Sequence, residues 1–234
     1  MGHRRHHSKG RKVNQSRALI LDFGGVVTRT LFETHDLTEK ALGLKPGTLK
    51  WRGPFDPSSD ALWVSMQAGE ISERDYWMAR TKETGTLIGK SWTTMMEFVQ
   101  AARGDNAENV MRPEAIRAIH LAKAAGYKLA ILSNELDLFY GVELRKRISF
   151  MPLFDVISDA TYTKILKPDP RAYQSCLDAL HLPANACVFV DDQKKNVDGA
   201  RALNIPTVHF DVTNPSKSYA MALDMLGIKE PYHA

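Results

Sequence analysis

The 234-residue chain is 44% apolar and 25% charged, the balance of an ordinary globular protein built as one large domain or as one domain with an inserted module. Its formal charge of +4 sits in the leader: Arg4, Arg5, Lys9, Arg11 and Lys12 precede the first acidic residue, Asp22, and the chain beyond residue 12 carries −1. This excludes a basic nucleic-acid-binding body, no apolar run approaches the ~18 residues that span a bilayer, and two cysteines, Cys176 and Cys187, do not make a disulfide scaffold.

Residues 1–16 are accordingly expected to be a basic tail or tag, and the whole protein to be cytoplasmic with free thiols. The first strand is predicted over 18–22, because an uninterrupted apolar run bounded by glycine has no solvent face to offer. Residues 31–111 lack any strand-like run, hold all four tryptophans (Trp51, Trp63, Trp77 and Trp92) and read as an inserted helical module. Ser72 caps one helix there, with Glu73 and Asp75 in its first turn; residues 51–59, with Gly53, Pro54 and Pro57, read as a loop. The tryptophans and Met66, Met78, Met95 and Met96 are expected mainly to be this module's core.

Pro113 opens a helix with Ile116, Ile119 and Leu121 on its apolar side, ended by Gly126. A buried strand follows at 128–132, then a helical stretch over 136–148 and a short strand at 154–157. Asp169 and Pro170 cap a helix whose core side is Tyr173, Cys176, Leu177 and Leu180. A strand at 187–190, a helix at 195–204, a strand at 207–210 and a helix at 218–226 complete the chain. The alternation predicts an α/β, Rossmann-like, doubly wound parallel sheet made from residues 17–30 and 112–234.

Each buried strand ends in polar residues: Asp22; Ser133 and Asn134; Asp191 and Asp192; with Lys164 and Lys167 in a loop between. In a parallel sheet with right-handed crossovers these ends share one edge, so a single crevice collects them. Two carboxylates ~4 Å apart repel by about 4 kcal/mol at an effective dielectric of ~20, so the cluster calls for a cation. A hard, oxygen-seeking ion such as Mg²⁺ meets that need and favours a phosphorylated substrate. The parts match phosphoryl transfer: a carboxylate to attack phosphorus, with an ammonium, a hydroxyl and backbone N–H groups to share the charge. Taken singly, Asp22 could equally cap a turn, and Ser-Asn or Lys-Pro-Asp-Pro could be plain turn and helix-entry sequences.

In this order, the segments Leu21-Asp22-Phe23-Gly24-Gly25-Val26, Leu132-Ser133-Asn134, Lys167-Pro168-Asp169-Pro170 and Val190-Asp191-Asp192 resemble the four motifs of the haloacid dehalogenase superfamily over residues 17–226. The details, with Asn196 after the last motif, are most similar to the branch of glucose-1-phosphate phosphatases and the amino-terminal phosphatase domain of soluble epoxide hydrolases. The resemblance implies a helical cap of the superfamily's first type at 31–111 and a phosphatase of a small phosphorylated metabolite. It implies Asp22 as nucleophile, with Lys167 at the same catalytic centre, and Ser133, Asn134 and Lys167 as phosphate holders. It further implies Mg²⁺ on Asp22, the Gly24 carbonyl and Asp192, with Asp191 and Asn196 in support.

One departure stands out. Phosphatases of this superfamily typically place a second aspartate two residues after the nucleophile as general acid and base, and here that residue is Gly24. By position, His35, Asp36, Glu70 and Glu135 are the substitutes, although each also fits a solvated surface residue. A dehalogenase proper is disfavoured by the Asp191-Asp192 pair, which would repel an anionic substrate. A phosphonate-cleaving variant would need a cap lysine, for which Lys40, Lys50 and Lys82 are available, and a non-catalytic phosphometabolite binder is the alternative outside enzymology.

Overall fold

The computed structural model describes residues 16–104 and 106–229, so the expected basic tail lies, but for residue 16, outside the described residues. Five short runs make the sheet: β1 (Ala18–Leu21), β2 (Lys128–Ser133), β3 (Val156–Asp159), β4 (Cys187–Asp191) and β5 (Thr207–His209). All pair in parallel, in the order β3-β2-β1-β4-β5. The chain builds outward from β1 to β3 and then returns to the other side for β4 and β5, so the strand order reverses between β1 and β4. The carboxyl end of such a reversal leaves a crevice between diverging loops. Leu21 lies opposite both Ile131 and Val190, so β1, β2 and β4 end nearly in step.

Thr28 and Met111 meet in an antiparallel bridge. The described chain between them is helical: α1 (His35–Leu42), α2 (Ala61–Gln67), α3 (Glu73–Leu87) and α4 (Met95–Arg103). Capping boxes start two of these, Ser72 with Asp75 for α3 and Thr94 with Glu97 for α4, each satisfying orphan N–H groups on both sides of the first turn. Residues 51–59, expected as loop, wind into two 3₁₀ turns, Gly53–Phe55 and Pro57–Ser59. At the insert's base Arg112 donates to the Gly25 carbonyl at 2.9 Å and to both oxygens of Glu33 at 2.9 and 2.6 Å.

The sheet's alternating side chains serve two layers. Leu19 and Leu21 face a large core that includes Ala115 and Ile119 of α5 (Pro113–Ala124). Tyr219 and Leu223 of the last helix join it, and so do Phe32, Trp51, Tyr76 and Phe98 of the insert. Ala18 and Ile20 face a smaller core with Tyr173, Cys176, Leu177 and Ala200. Insert and sheet are therefore continuous in one apolar cluster. Of the expected apolar side of α5, Ile119 is fully buried while Ile116 and Leu121 are half-buried; Ala115, Ala118 and Ala122 make the close contact instead. Both cysteines are buried and unpaired.

Three of the boundaries that differ from the sequence reading have a visible local cause. The stretch 136–148 divides into α6 (Leu136–Tyr140) and α7 (Val142–Lys146), because Gly141 between them adopts φ 76, ψ 151, which no helix accommodates. The strand expected at 154–157 begins at Val156, since Phe154 follows a 3₁₀ turn, Met151–Leu153, and packs into the core. Beyond β3 come α8 (Ala160–Thr163), α9 (Pro170–Leu180) and α10 (Lys194–Ala202). The last helix, α11 (Pro215–Met225), starts earlier than expected because Asn214 caps it by accepting from the Lys217 N–H at 3.3 Å. Among the described residues no helix is long and apolar enough to cross a membrane.

The insert is anchored by a buried polar knot. Asp60 accepts from the N–H groups of Gly53 (3.1 Å) and Trp63 (3.0 Å), the Tyr76 hydroxyl (2.7 Å) and the Arg80 guanidinium (2.6 Å). Burial pushes this carboxyl up, but the hydrogen bonds from Tyr76, Trp63 and Arg80 outweigh it and hold the group below its ordinary value. A carboxylate so depressed stabilises the fold above its unfolded value of about 4 and loses that contribution as pH falls through the folded one. Asp60→Ala is expected to cost about 3–5 kcal/mol near neutral pH, the usual result of breaking a buried ion pair. In urea melts the gap between wild type and variant should narrow as pH falls below about 4.

Candidate active site

The Asp22 N–H continues the ladder to the Val190 carbonyl at 2.9 Å, which seats its side chain at the reversal between β1 and β4. The turn behind it depends on Gly25, which has φ 83 and where an added Cβ would lie 3.2 Å from Asp192 Oδ2. Gly24 is different. A Cβ there would meet only the Tyr140 hydroxyl, at 3.4 Å, so space alone does not forbid a larger residue.

Lys167 enters from the loop before α9 and ends in the middle of the cluster. Its Nζ donates to Asp22 Oδ1 (3.0 Å), Asp191 Oδ2 (2.7 Å) and the Leu132 carbonyl (2.8 Å), using all three protons. Burial alone would discharge it, but Asp191 and Asp22 overcome that and raise its proton affinity, so the ammonium stays charged. Asn134 places this lysine: its Oδ1 accepts from the Lys167 N–H at 2.7 Å and its Nδ2 donates to the Lys167 carbonyl at 3.1 Å. The Asn134 amide, expected on phosphate, is thus spent on the lysine's backbone. Ser133 Oγ accepts from the Glu135 N–H at 3.2 Å and lines the pocket beside Asp22, Asn134 and Lys167.

Asp191 is fully buried and accepts from Lys167, the Gln193 N–H (2.8 Å) and Asn196 Nδ2 (3.1 Å). Asp22, Asp191 and Asp192 bring one oxygen each within 4.8 Å of one another. Asp22 is raised to about 7 by burial and by Asp191 and Glu73, against the opposing pull of Lys167. Asp192 is raised well above its ordinary value by burial first and then by Asp191 and Asp22. Such frustration, in a set made only of hard oxygens, is what a divalent cation relieves, and the donor set fits Mg²⁺. Because Asp191 is saturated by the protein, Asp22 and Asp192 are the carboxylates left for a cation, with Gly24 beside them.

The sequence reading missed Glu73. It begins α3, is half-buried, and lines both the pocket at Asp22 and an adjoining lobe bounded by Phe32, Trp63, Trp77 and Arg103. Burial, then Glu135 and Asp191, raise it to about 7. In the sequence Glu73 is a plain first-turn acid behind a Ser cap, and only the docking of α3 over the sheet edge reveals it. Glu135 also lines the pocket but is paired with Arg74. The other substitutes do not reach the cleft. His35 is buried against Trp51, ring centroids 4.4 Å apart, and burial and Arg52 hold it down to about 4, so it stays neutral. Asp36, Glu70, Lys40, Lys50 and Lys82 are exposed and none lines either pocket. Of the tryptophans, Trp51 is core whereas Trp63 and Trp77 wall the lobe.

Residues 16–204 match the haloacid dehalogenase-like hydrolase family. The chain is 35% identical over 188 residues to Phosphatase MT3486 of Mycobacterium tuberculosis (strain CDC 1551 / Oshkosh), covering 79% of this chain and 82% of that one. It is 29% identical over 211 residues to acyl-CoA dehydrogenase family member 10 of Mus musculus, spanning 88% of this chain but only 18% of that much longer protein. Among solved structures, a HAD phosphatase from Thermococcus onnurineus superposes with a TM-score of 0.52 at 17% identity, covering 83% of this chain and 86% of its own. With its parallel sheet, its strand-end acids and these matches, the chain belongs to the haloacid dehalogenase superfamily of hydrolases.

Proposed function

We propose that the protein is a Mg²⁺-dependent phosphatase of a small phosphorylated metabolite, working through a phosphorylated Asp22. The observation that carries this reading is the Lys167 ammonium, held 3.0 Å from Asp22 and 2.7 Å from Asp191 beside the third carboxylate of Asp192. A buried cation next to a nucleophilic carboxylate lowers the cost of bringing a dianionic phosphate to it. The similarity to a mycobacterial phosphatase supports the same reading.

Asp22 Oδ attacks phosphorus and the bond from phosphorus to the leaving oxygen breaks. Lys167 and the Ser133 hydroxyl, whose proton no described residue takes, offset the charge on the phosphoryl oxygens. Asp22 and Asp192, with the Gly24 carbonyl, would hold Mg²⁺, which when bound neutralises their repulsion and polarises the phosphate. Glu73 replaces the aspartate absent at position 24: it gives its proton to the leaving oxygen and then takes one from the water that attacks the acyl phosphate. Asn134 and Asn196 act on Lys167 and Asp191, so they are positioning residues.

Asp22→Asn is expected to abolish phosphate release from a panel of sugar and alkyl phosphates, and chelation of divalent ions should do the same reversibly; undiminished release by the variant would sink the nucleophile assignment. Glu73→Gln should lower kcat by about 10²–10⁴-fold with KM little changed. The wild-type limb that falls above about pH 7, where Glu73 loses the proton it must donate, should vanish in that variant. Gly24→Asp, for which the backbone has room, should restore part of the lost rate in the Glu73→Gln background.

A further inference from the structure

Several buried or half-buried arginines of the described chain have carboxylate partners: Arg80 has Asp60, Arg112 has Glu33 and Arg145 has Asp137. Arg103 is otherwise. It closes α4, lines the apolar lobe, and lies over the Tyr140 ring at 5.9 Å. Its Nη2 donates to the Arg29 carbonyl at 2.9 Å, while Nε and Nη1 are buried with no hydrogen-bond partner. Arg29 lines the same lobe, and its Nε is likewise buried and unpartnered. Glu33 lies close enough to act on Arg103, but its oxygens already accept from Arg112 and from the Thr30 N–H and hydroxyl. Burial lowers the proton affinity of Arg103. A buried guanidinium edge with two idle donors is costly unless an acceptor arrives.

Leu31, Phe32, Trp63, Trp77, Met95 and Val99 give the lobe apolar walls, and Thr28, Thr30, Tyr140 and Gln193 also line it. Its acidic residues, Glu73 and Asp192, belong to the end that joins the catalytic cluster. The lobe thus combines an end that joins the catalytic cluster, apolar walls, and the cationic side chains of Arg103 and Arg29.

Resting on the phosphatase reading, we propose that Arg103, assisted by Arg29, binds a second anionic group of the substrate, so that the substrate is a phosphate monoester whose apolar chain carries a carboxylate or a further phosphate. The unpaired donors of Arg103 complete a two-point fit: the phosphate at the Asp22 and Ser133 end, the other anion at Arg103. Arg103 then selects the substrate without touching the reacting atoms.

The test is calorimetric and independent of turnover. Asp22→Asn protein in Mg²⁺ is titrated with ω-phosphonocarboxylates of graded chain length and with alkylphosphonates of matching length. At the best length one doubly anionic ligand, the carboxylate or the matching α,ω-bisphosphonate, should bind at least about 30-fold tighter than the alkylphosphonate, as a desolvated ion pair requires. Arg103→Met should collapse that ratio to about one, and Arg103→Lys should recover part of it. An α,ω-bisphosphonate series distinguishes a second phosphate from a carboxylate by which of the two binds tighter. Equal affinity of the alkyl ligands with both the carboxylates and the bisphosphonates at every length would overturn the proposal and show that water satisfies the donors. That comparison needs no Arg103 variant, so a variant that fails to fold leaves it intact. Failure of every phosphonate to bind would overturn the phosphatase reading together with this one, whereas binding without discrimination overturns this one alone.

Discussion

The site depends on one ammonium held among acids. Lys167 stands between Asp22 and Asp191 with a third bond to the Leu132 carbonyl, and each partner comes from a different part of the chain. The parallel sheet makes this meeting possible, because β1, β2 and β4 end nearly in step and deliver their terminal residues to one edge. The charges cannot be considered apart. Three carboxylates in this space would resist ionisation, and a lysine so buried would discharge if the carboxylates were absent. Asn134 and Asn196 complete the device by fixing the lysine's backbone and the Asp191 carboxylate.

A second constraint comes from the insert. Its aromatic residues share a cluster with Leu19 and Leu21, and Arg112 joins the turn behind Asp22 to Glu33 at the insert's first residues. The same packing carries α3 and α4 over the sheet edge. Glu73 and Arg103 therefore reach the cleft from the start of one helix and the end of the other.

Legibility in the sequence followed the range of the interaction. Strand identity and order of chemistry were readable because β1 and β4 are unbroken apolar runs with acids directly behind them, and the sheet topology needs little more. Boundaries that depend on one backbone angle were less so: Gly141 divides a helix, and the turn before Phe154 delays β3. Glu73 was hidden because its role comes from tertiary docking, whereas its local pattern is only an acidic first turn. His35 was misplaced for the converse reason, a polar residue whose surroundings prove to be a tryptophan ring and whose charge is suppressed. The absence of an acid at Gly24 is visible in the sequence; the place of the substitute proposed for it is not.

The continuity of the core also bears on how such a chain diversifies. If residues 31–111 were a module resting lightly on the sheet, selectivity could be transplanted by exchanging that segment alone. Here Phe32, Trp51 and Phe98 belong to the same apolar mass as Leu19 and Leu21, so a foreign insert would arrive without the surface it has to match. If the lobe selects the substrate as proposed, changes in selectivity are open to point substitutions around it and closed to wholesale grafting, unless α5 and the inner face of β1 are recut along with the graft.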